Sequence, residues 1–136
     1  MKDMEERYGK PIIAAEVSMG FTDEDYRIYE KAPFEELKGM ATRPELLSRL
    51  PYPMTKQGQC DFMQEFMERI KDVKGGSGFY YWEPAWIPCP GVGWASEAAL
   101  EYTKEKGPGG NEWANQALFD YTGHALFALR TIRDFC

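Results

Sequence analysis

A chain of 136 residues fits one domain and can bury a useful core. Its net charge of −6, from 22 acidic against 16 basic residues, argues against the basic face that phosphate binding needs, so no nucleic-acid partner is expected. No apolar run approaches a bilayer span, and Met1-Lys2-Asp3-Met4-Glu5-Glu6-Arg7 has no apolar region behind its charges, so neither a membrane partner nor a signal peptide is expected.

The first element is the apolar run Ile12-Ile13-Ala14-Ala15, introduced by Gly9-Lys10-Pro11 and closed by Glu16 and Val17. It reads as a strand over Pro11 to Val17, buried on both faces of a parallel sheet. A long loop, Ser18 to Met54, follows. Two short helices are expected in it: one after Thr22 with Asp25 in its first turn, and one after Thr42 with Pro44 and Glu45. From about Lys56 to Val73 the spacing of Phe62, Met63, Phe66, Met67, Ile70 and Val73 predicts an amphipathic helix, stopped at Gly75-Gly76. The aromatic run Gly78-Phe79-Tyr80-Tyr81-Trp82 reads as a second strand, ended by Glu83-Pro84. A loop rich in Gly, Pro and Trp runs from Ala85 to about Tyr121. A last helix spans about Ala125 to Phe135, with Leu126, Leu129 and Ile132 on one face.

Only two strands are evident, each followed by a long loop and a helix. A parallel pair needs neighbours and cover on both faces. Long loops after strands and short connections after helices fit part of an α/β (β/α)₈ barrel, of which a complete copy needs roughly 250 residues. The chain would hold about two of the eight units.

Cys60, Cys89 and Cys136 match no disulfide framework or zinc site, and Cys60 reads as a small core residue of the helix. The single histidine, His124, sits in the turn Thr122-Gly123-His124, away from partners for a triad or a metal. No cofactor and no metal site are expected. Chemistry, if present, falls to carboxylates. Glu16 closes the first strand, where barrels carry their catalytic groups, and a carboxylate is costly to bury there unless paired. The plain alternative is a salt-bridged strand-end residue. Glu83 ends the second strand. Neighbouring strands lie about 4.8 Å apart. Taken naively, the two could therefore be the pair of a retaining glycosidase, which needs about 5–5.5 Å between carboxyl groups.

Trp82, Trp86, Trp94 and Trp113 cluster after the second strand. Indoles in an exposed loop suit the apolar C–H faces of sugar rings, and their N–H can donate; the alternative is that they plug the top of the barrel. Asp23-Glu24-Asp25 could offer oxygens to calcium, but acidic residues are favoured in a helix's first turn, and that reading is preferred. Gly107-Pro108-Gly109-Gly110 has neither the preceding strand nor the following Lys-Ser/Thr of a phosphate loop, and reads as a loop.

These residues resemble glycoside hydrolase family 53, the arabinogalactan endo-β-1,4-galactanases. The resemblance rests on Tyr8-Gly9-Lys10-Pro11 through Glu16, on Tyr52-Pro53-Met54-Thr55 with Gly58-Gln59, on Tyr81-Trp82-Glu83-Pro84-Ala85-Trp86-Ile87-Pro88, and on Asn115-Gln116-Ala117-Leu118-Phe119-Asp120. It covers nearly the whole chain. It implies the seventh and eighth strands of a (β/α)₈ barrel, with the closing helices, and a substrate of β-1,4-galactan or galacto-oligosaccharide cut with retention. By the resemblance Glu16 is the nucleophile, and Trp82 and Trp86 form the aromatic motif beside the substrate cleft. Glu83 then belongs to the loop motif rather than to the catalytic pair. The family's acid/base, a Glu following an Asn at the fourth strand, has no counterpart here; Asn111-Glu112 has the letters but not the place. The calcium site of some members finds no convincing ligand set in Ser18 to Met54.

The expectation is a carboxylate glycosidase whose chain carries the nucleophile, needs the N-terminal barrel strands for activity, and is inactive alone. For the complete family protein an extracellular location is implied. Two other readings stay open: a non-catalytic carbohydrate-binding module, and a truncated fragment whose exposed edges associate.

Overall fold

Two six-residue strands, β1 (Ile12–Val17) and β2 (Gly76–Tyr81), run parallel and form a two-stranded sheet. The structure is a computed structural model that describes residues 1–26, 44–89, 96–104 and 111–135. Most of the helix expected after Thr22, together with Trp94, Gly107-Pro108-Gly109-Gly110 and Cys136, lies outside those residues. The expected strands are both present. β2 begins two residues earlier than the aromatic run indicated.

The crossover between the strands is α2 (Lys56–Lys71), preceded by a 3-10 helix at Pro44–Arg49 where the second loop helix was expected. Thr55 caps α2, its hydroxyl accepting from the Gly58 N–H at 3.0 Å. The expected stripe is the buried one: Met63, Met67, Ile70 and Val73 face inward, and Phe62 and Phe66 pack beside them. Met63 and Met67 meet Val17 of β1, flanked by Phe79 and Tyr81 of β2. Burial of each such side chain contributes about 1.5–3 kcal/mol. Cys60 is buried against Leu118 and Ala128.

The end of α2 corrects one expectation. The helix stops at Lys71, and Asp72 caps it in helical geometry, so Gly75-Gly76 does not supply the stop. Gly76 opens β2 instead. A Cβ there would lie 2.0 Å from the Ile70 carbonyl oxygen, so only glycine lets the strand leave so close to the helix.

β1 is not buried on both faces, contrary to the continuous apolar run. Ile13 is 52% exposed, and Ala15 and Glu16 are exposed as well. Two-sided burial needs a strand on each edge and layers on each face, and among the described residues β1 pairs only with β2.

Three further α-helices escaped the sequence reading or shifted. α1 (Lys2–Tyr8) buries nothing; it is closed by Gly9 in the left-handed region (φ 55°), whose N–H reaches the Glu5 carbonyl. α3 (Glu97–Thr103) lies inside the stretch expected to be loop. The last helix, α4 (Phe127–Phe135), starts two residues late and packs on α2. Its Ala128 and the preceding Leu126 are buried, while Leu129 is 38% exposed, so the inward face is not quite the one the spacing indicated.

Candidate active site

Because the strands are parallel and Val17 pairs with Tyr81, both carboxyl ends open at the same level. The Trp82 N–H continues the ladder by donating to the Val17 carbonyl at 2.8 Å. The register gains one residue on β1 between Ala14 and Val17. Such a bulge re-aims side chains, and its effect is visible here: Val17 enters the core with Met63 and Met67 while Glu16 stays exposed. The desolvation expected for a strand-end carboxylate therefore does not arise in this chain.

Glu83 does not share the level of Glu16. It follows Trp82 in the turn after β2, half-buried, with φ 50°. With Pro84, Ala85, Trp86 and Ile87 it lines a surface hollow beside the strand ends.

The two candidate aromatic residues are held differently. Trp82 packs edge-to-face on Trp113, with ring centroids 6.0 Å apart and planes at 88°. Trp86 is half-buried and donates its indole Nε1–H to Asn111 Oδ1 at 3.1 Å. Asn111 itself is buried, accepts from the Cys89 N–H at 3.2 Å, and donates to the Tyr26 hydroxyl and the Cys89 carbonyl, each at 3.1 Å. Glu112 beside it is 8% exposed. The Asn111-Glu112 pair thus belongs to a buried loop support.

Beneath the strand ends lies a second polar support that sequence reasoning missed. Gln59, fully buried on α2, donates from Nε2 to the Met19 carbonyl (2.9 Å), the Ala117 carbonyl (3.0 Å) and the Tyr81 hydroxyl (3.2 Å). The Tyr81 hydroxyl donates in turn to the Gln116 carbonyl at 2.7 Å. Burial pushes the Tyr81 phenol up to about 12, against the pull of hydrogen bonds from Met19 and Gln59. Ser18, two residues past Glu16, donates to Gln116 Oε1 at 2.6 Å. The segment after β1 is therefore tied both to α2 and to the 3-10 turn Ala114–Gln116. A signal existed: Gln59 precedes Met63, Met67 and Ile70 by helical steps, which places a polar side chain on the buried stripe.

His124 lies in an exposed turn, where its N–H and both donors of Thr122 converge on Asp120 Oδ1 at 2.7–3.0 Å. No group of three or more His, Cys, Asp or Glu able to hold a metal ion occurs among the described residues. No helix among them is long and apolar enough to cross a membrane.

Comparison with known proteins sets this geometry in context. The sequence profile of glycosyl hydrolase family 53 matches residues 1–132. The endo-beta-1,4-galactanase of Bacillus subtilis (strain 168) is 36% identical over 152 residues, spanning 98% of this chain and 33% of that protein. The arabinogalactan endo-beta-1,4-galactanase A of Aspergillus niger is 38% identical over 50 residues, 37% of this chain and 14% of that protein. Among solved structures, a catalytic domain of the same family from Ignisphaera aggregans superposes with a TM-score of 0.71 at 30% identity, covering 97% of this chain and 32% of that domain. The chain thus spans about a third of the length of the two relatives it matches along nearly its whole extent.

Proposed function

The chain belongs to glycosyl hydrolase family 53, and from that premise we propose that it forms one side of the cleft of a retaining endo-β-1,4-galactanase. Its two units would be the seventh and eighth of a (β/α)₈ barrel. Glu16 would attack the anomeric carbon of the bound galactose unit and form a covalent galactosyl-enzyme. A second carboxyl group, matched by no residue of this chain, would protonate the leaving oxygen and then activate water. Trp82 and Trp86 would hold the sugar rings.

The observation that carries this reading is the ladder bond from Trp82 N–H to the Val17 carbonyl. It sets the aromatic motif directly beside the residue that follows Glu16, at the carboxyl ends of two parallel strands, where barrels do their chemistry.

Release of reducing sugar from β-1,4-galactan tests the proposal. The chain alone is expected to give none. Fused to the complementary first two-thirds of the Bacillus subtilis relative, it is expected to give release that falls by at least about 10³-fold on Glu16→Gln. Release by the isolated chain, or a fusion indifferent to Glu16→Gln, would overturn the assignment. Binding that persists in Glu16→Gln and drops in Trp86→Ala, with no release by a folded fusion, would favour a carbohydrate-binding module instead.

A further inference from the structure

We propose that Asn111 is the positioning residue of the cleft: it clamps the Trp86 indole through its N–H, so that Trp86 offers the sugar its ring face and not its hydrogen-bond donor. This rests on the reading that Trp86 stacks on galactose.

All four hydrogen-bonding capacities of the Asn111 amide are used. Oδ1 accepts from Trp86 Nε1 and from the Cys89 backbone N–H; Nδ2 donates to the Cys89 carbonyl and to the Tyr26 hydroxyl. The indole and the amide N–H can only donate, and the carbonyl can only accept, so the partners fix which way the Asn111 amide points. No other neutral side chain of that length presents both polarities in one plane. Aspartate would put an acceptor against the Cys89 carbonyl, and leucine would strand both donors.

The clamp has a firm anchor. Tyr26 and Asn111 are each 1% exposed. The Tyr26 ring meets Tyr121 edge-on at 6.2 Å, and Tyr121 meets Phe21 in the same manner at 5.3 Å. Phe21 donates its N–H to the Asn115 carbonyl at 2.9 Å. The loop after β1, the loop after β2 and the segment before α4 therefore converge on one amide, and Trp86 is the half-exposed end of that network. A fixed ring stacks without first losing rotamer freedom, which is where such a clamp yields affinity.

The fusion that completes the barrel, labelled at its indole nitrogens, is titrated with β-1,4-galactotetraose. The Trp86 N–H signal is identified by its loss in Trp86→Phe. Asn111→Ala is expected to speed exchange of that proton with water, and to weaken tetraose binding, each by about tenfold. The double variant Asn111→Ala with Trp86→Ala is expected to bind no more weakly than Trp86→Ala alone. Where Asn111→Ala folds, it decides. Where it does not, Tyr26→Phe decides by the same two readouts, with smaller shifts in the same direction. Unchanged exchange and affinity, or additive losses in the double variant, overturn the clamp. Binding lost in Trp86→Ala but kept in Asn111→Ala overturns the clamp alone. No saturable response in the unsubstituted fusion overturns the stacking reading together with it.

Discussion

The Tyr81 hydroxyl donates to the Gln116 carbonyl at 2.7 Å, closing the end of β2 against the 3-10 turn that precedes α4. The same oxygen receives the Gln59 side-chain amide at 3.2 Å. One phenol thus joins the sheet, α2 and the 3-10 turn Ala114–Gln116.

That phenol makes stability fall at high pH. Burial raises its folded-state value from 10.0 to about 12. A group whose folded value is raised stabilises fully below the unfolded value and ceases to do so as pH climbs through the folded one. The stabilisation is therefore present below about pH 10 and lost towards pH 12, a swing of about 2–3 kcal/mol. Urea unfolding between pH 9 and 12 checks this, those limits bracketing the ordinary phenol range of about 10. Tyr81→Phe is expected to flatten that limb relative to the unsubstituted chain and to cost about 1–3 kcal/mol at neutral pH, because Gln116 loses its donor. An alkaline limb of the same steepness in Tyr81→Phe would sink the assignment.

How far such features could be read in advance depends on whether their partners are local. β1, β2 and α2 announce themselves through apolar runs and spacing that any short window contains, and the Val17, Met63 and Met67 cluster follows from them. Glu16 was legible as the end of a strand, but its exposure was not, since that depends on which strands flank β1 and on the extra residue in its register. Asn111 was dismissible as a loop residue because its partners, Tyr26 and Trp86, lie 85 and 25 residues away. α3 is only seven residues long, and the surrounding Gly, Pro and Trp hid it.

Gly58 gives a prediction opposite to helix propensity. In the interior of an exposed helix, glycine to alanine gains roughly 1 kcal/mol. Here the added Cβ would stand 2.0 Å from the Pro53 carbonyl oxygen, a backbone atom that cannot swing aside. Gly58→Ala is therefore expected to destabilise by about 1–3 kcal/mol. It would also displace Thr55, whose N–H bonds that same Pro53 oxygen and whose hydroxyl caps α2. Thermal unfolding of the variant decides, and an unchanged or raised Tm contradicts the contact.

Asp120 governs the acid side. Burial alone would raise its carboxyl, but the Thr122 hydroxyl, the His124 N–H, the Thr122 N–H and the nearby His124 charge together hold it below the usual 3.8. A depressed folded value stabilises above the unfolded one and is lost as pH falls through the folded one. The Asp120–His124 turn is thus expected to loosen only below the ordinary carboxylate range. Asp120→Ala is expected to cost roughly 1 kcal/mol at neutral pH, mostly by freeing the turn that sets the start of α4. Amide exchange of Thr122 and His124 against pH reports this directly; protection indifferent to both the variant and acid would refute it.

The open edge of β1 bears on function as well as solubility. Among the described residues β1 has a partner on one side only, with Ile13 52% and Tyr80 of β2 67% exposed. An unpaired strand with apolar side chains is a template for further pairing. In the proposed barrel that edge receives the sixth strand. Without one, the isolated chain is expected to self-associate, and Ile13→Lys, which places a charge on the exposed surface, is expected to shift it towards monomer. Sedimentation velocity over a range of concentrations measures this. A monomer that melts cooperatively at every concentration would show that the edge is not a liability. Association and catalysis should also exclude one another. In the fusion that completes the barrel, the same edge is paired within one molecule, so Ile13→Lys is expected to disrupt barrel closure and lower galactan hydrolysis while making the isolated chain better behaved.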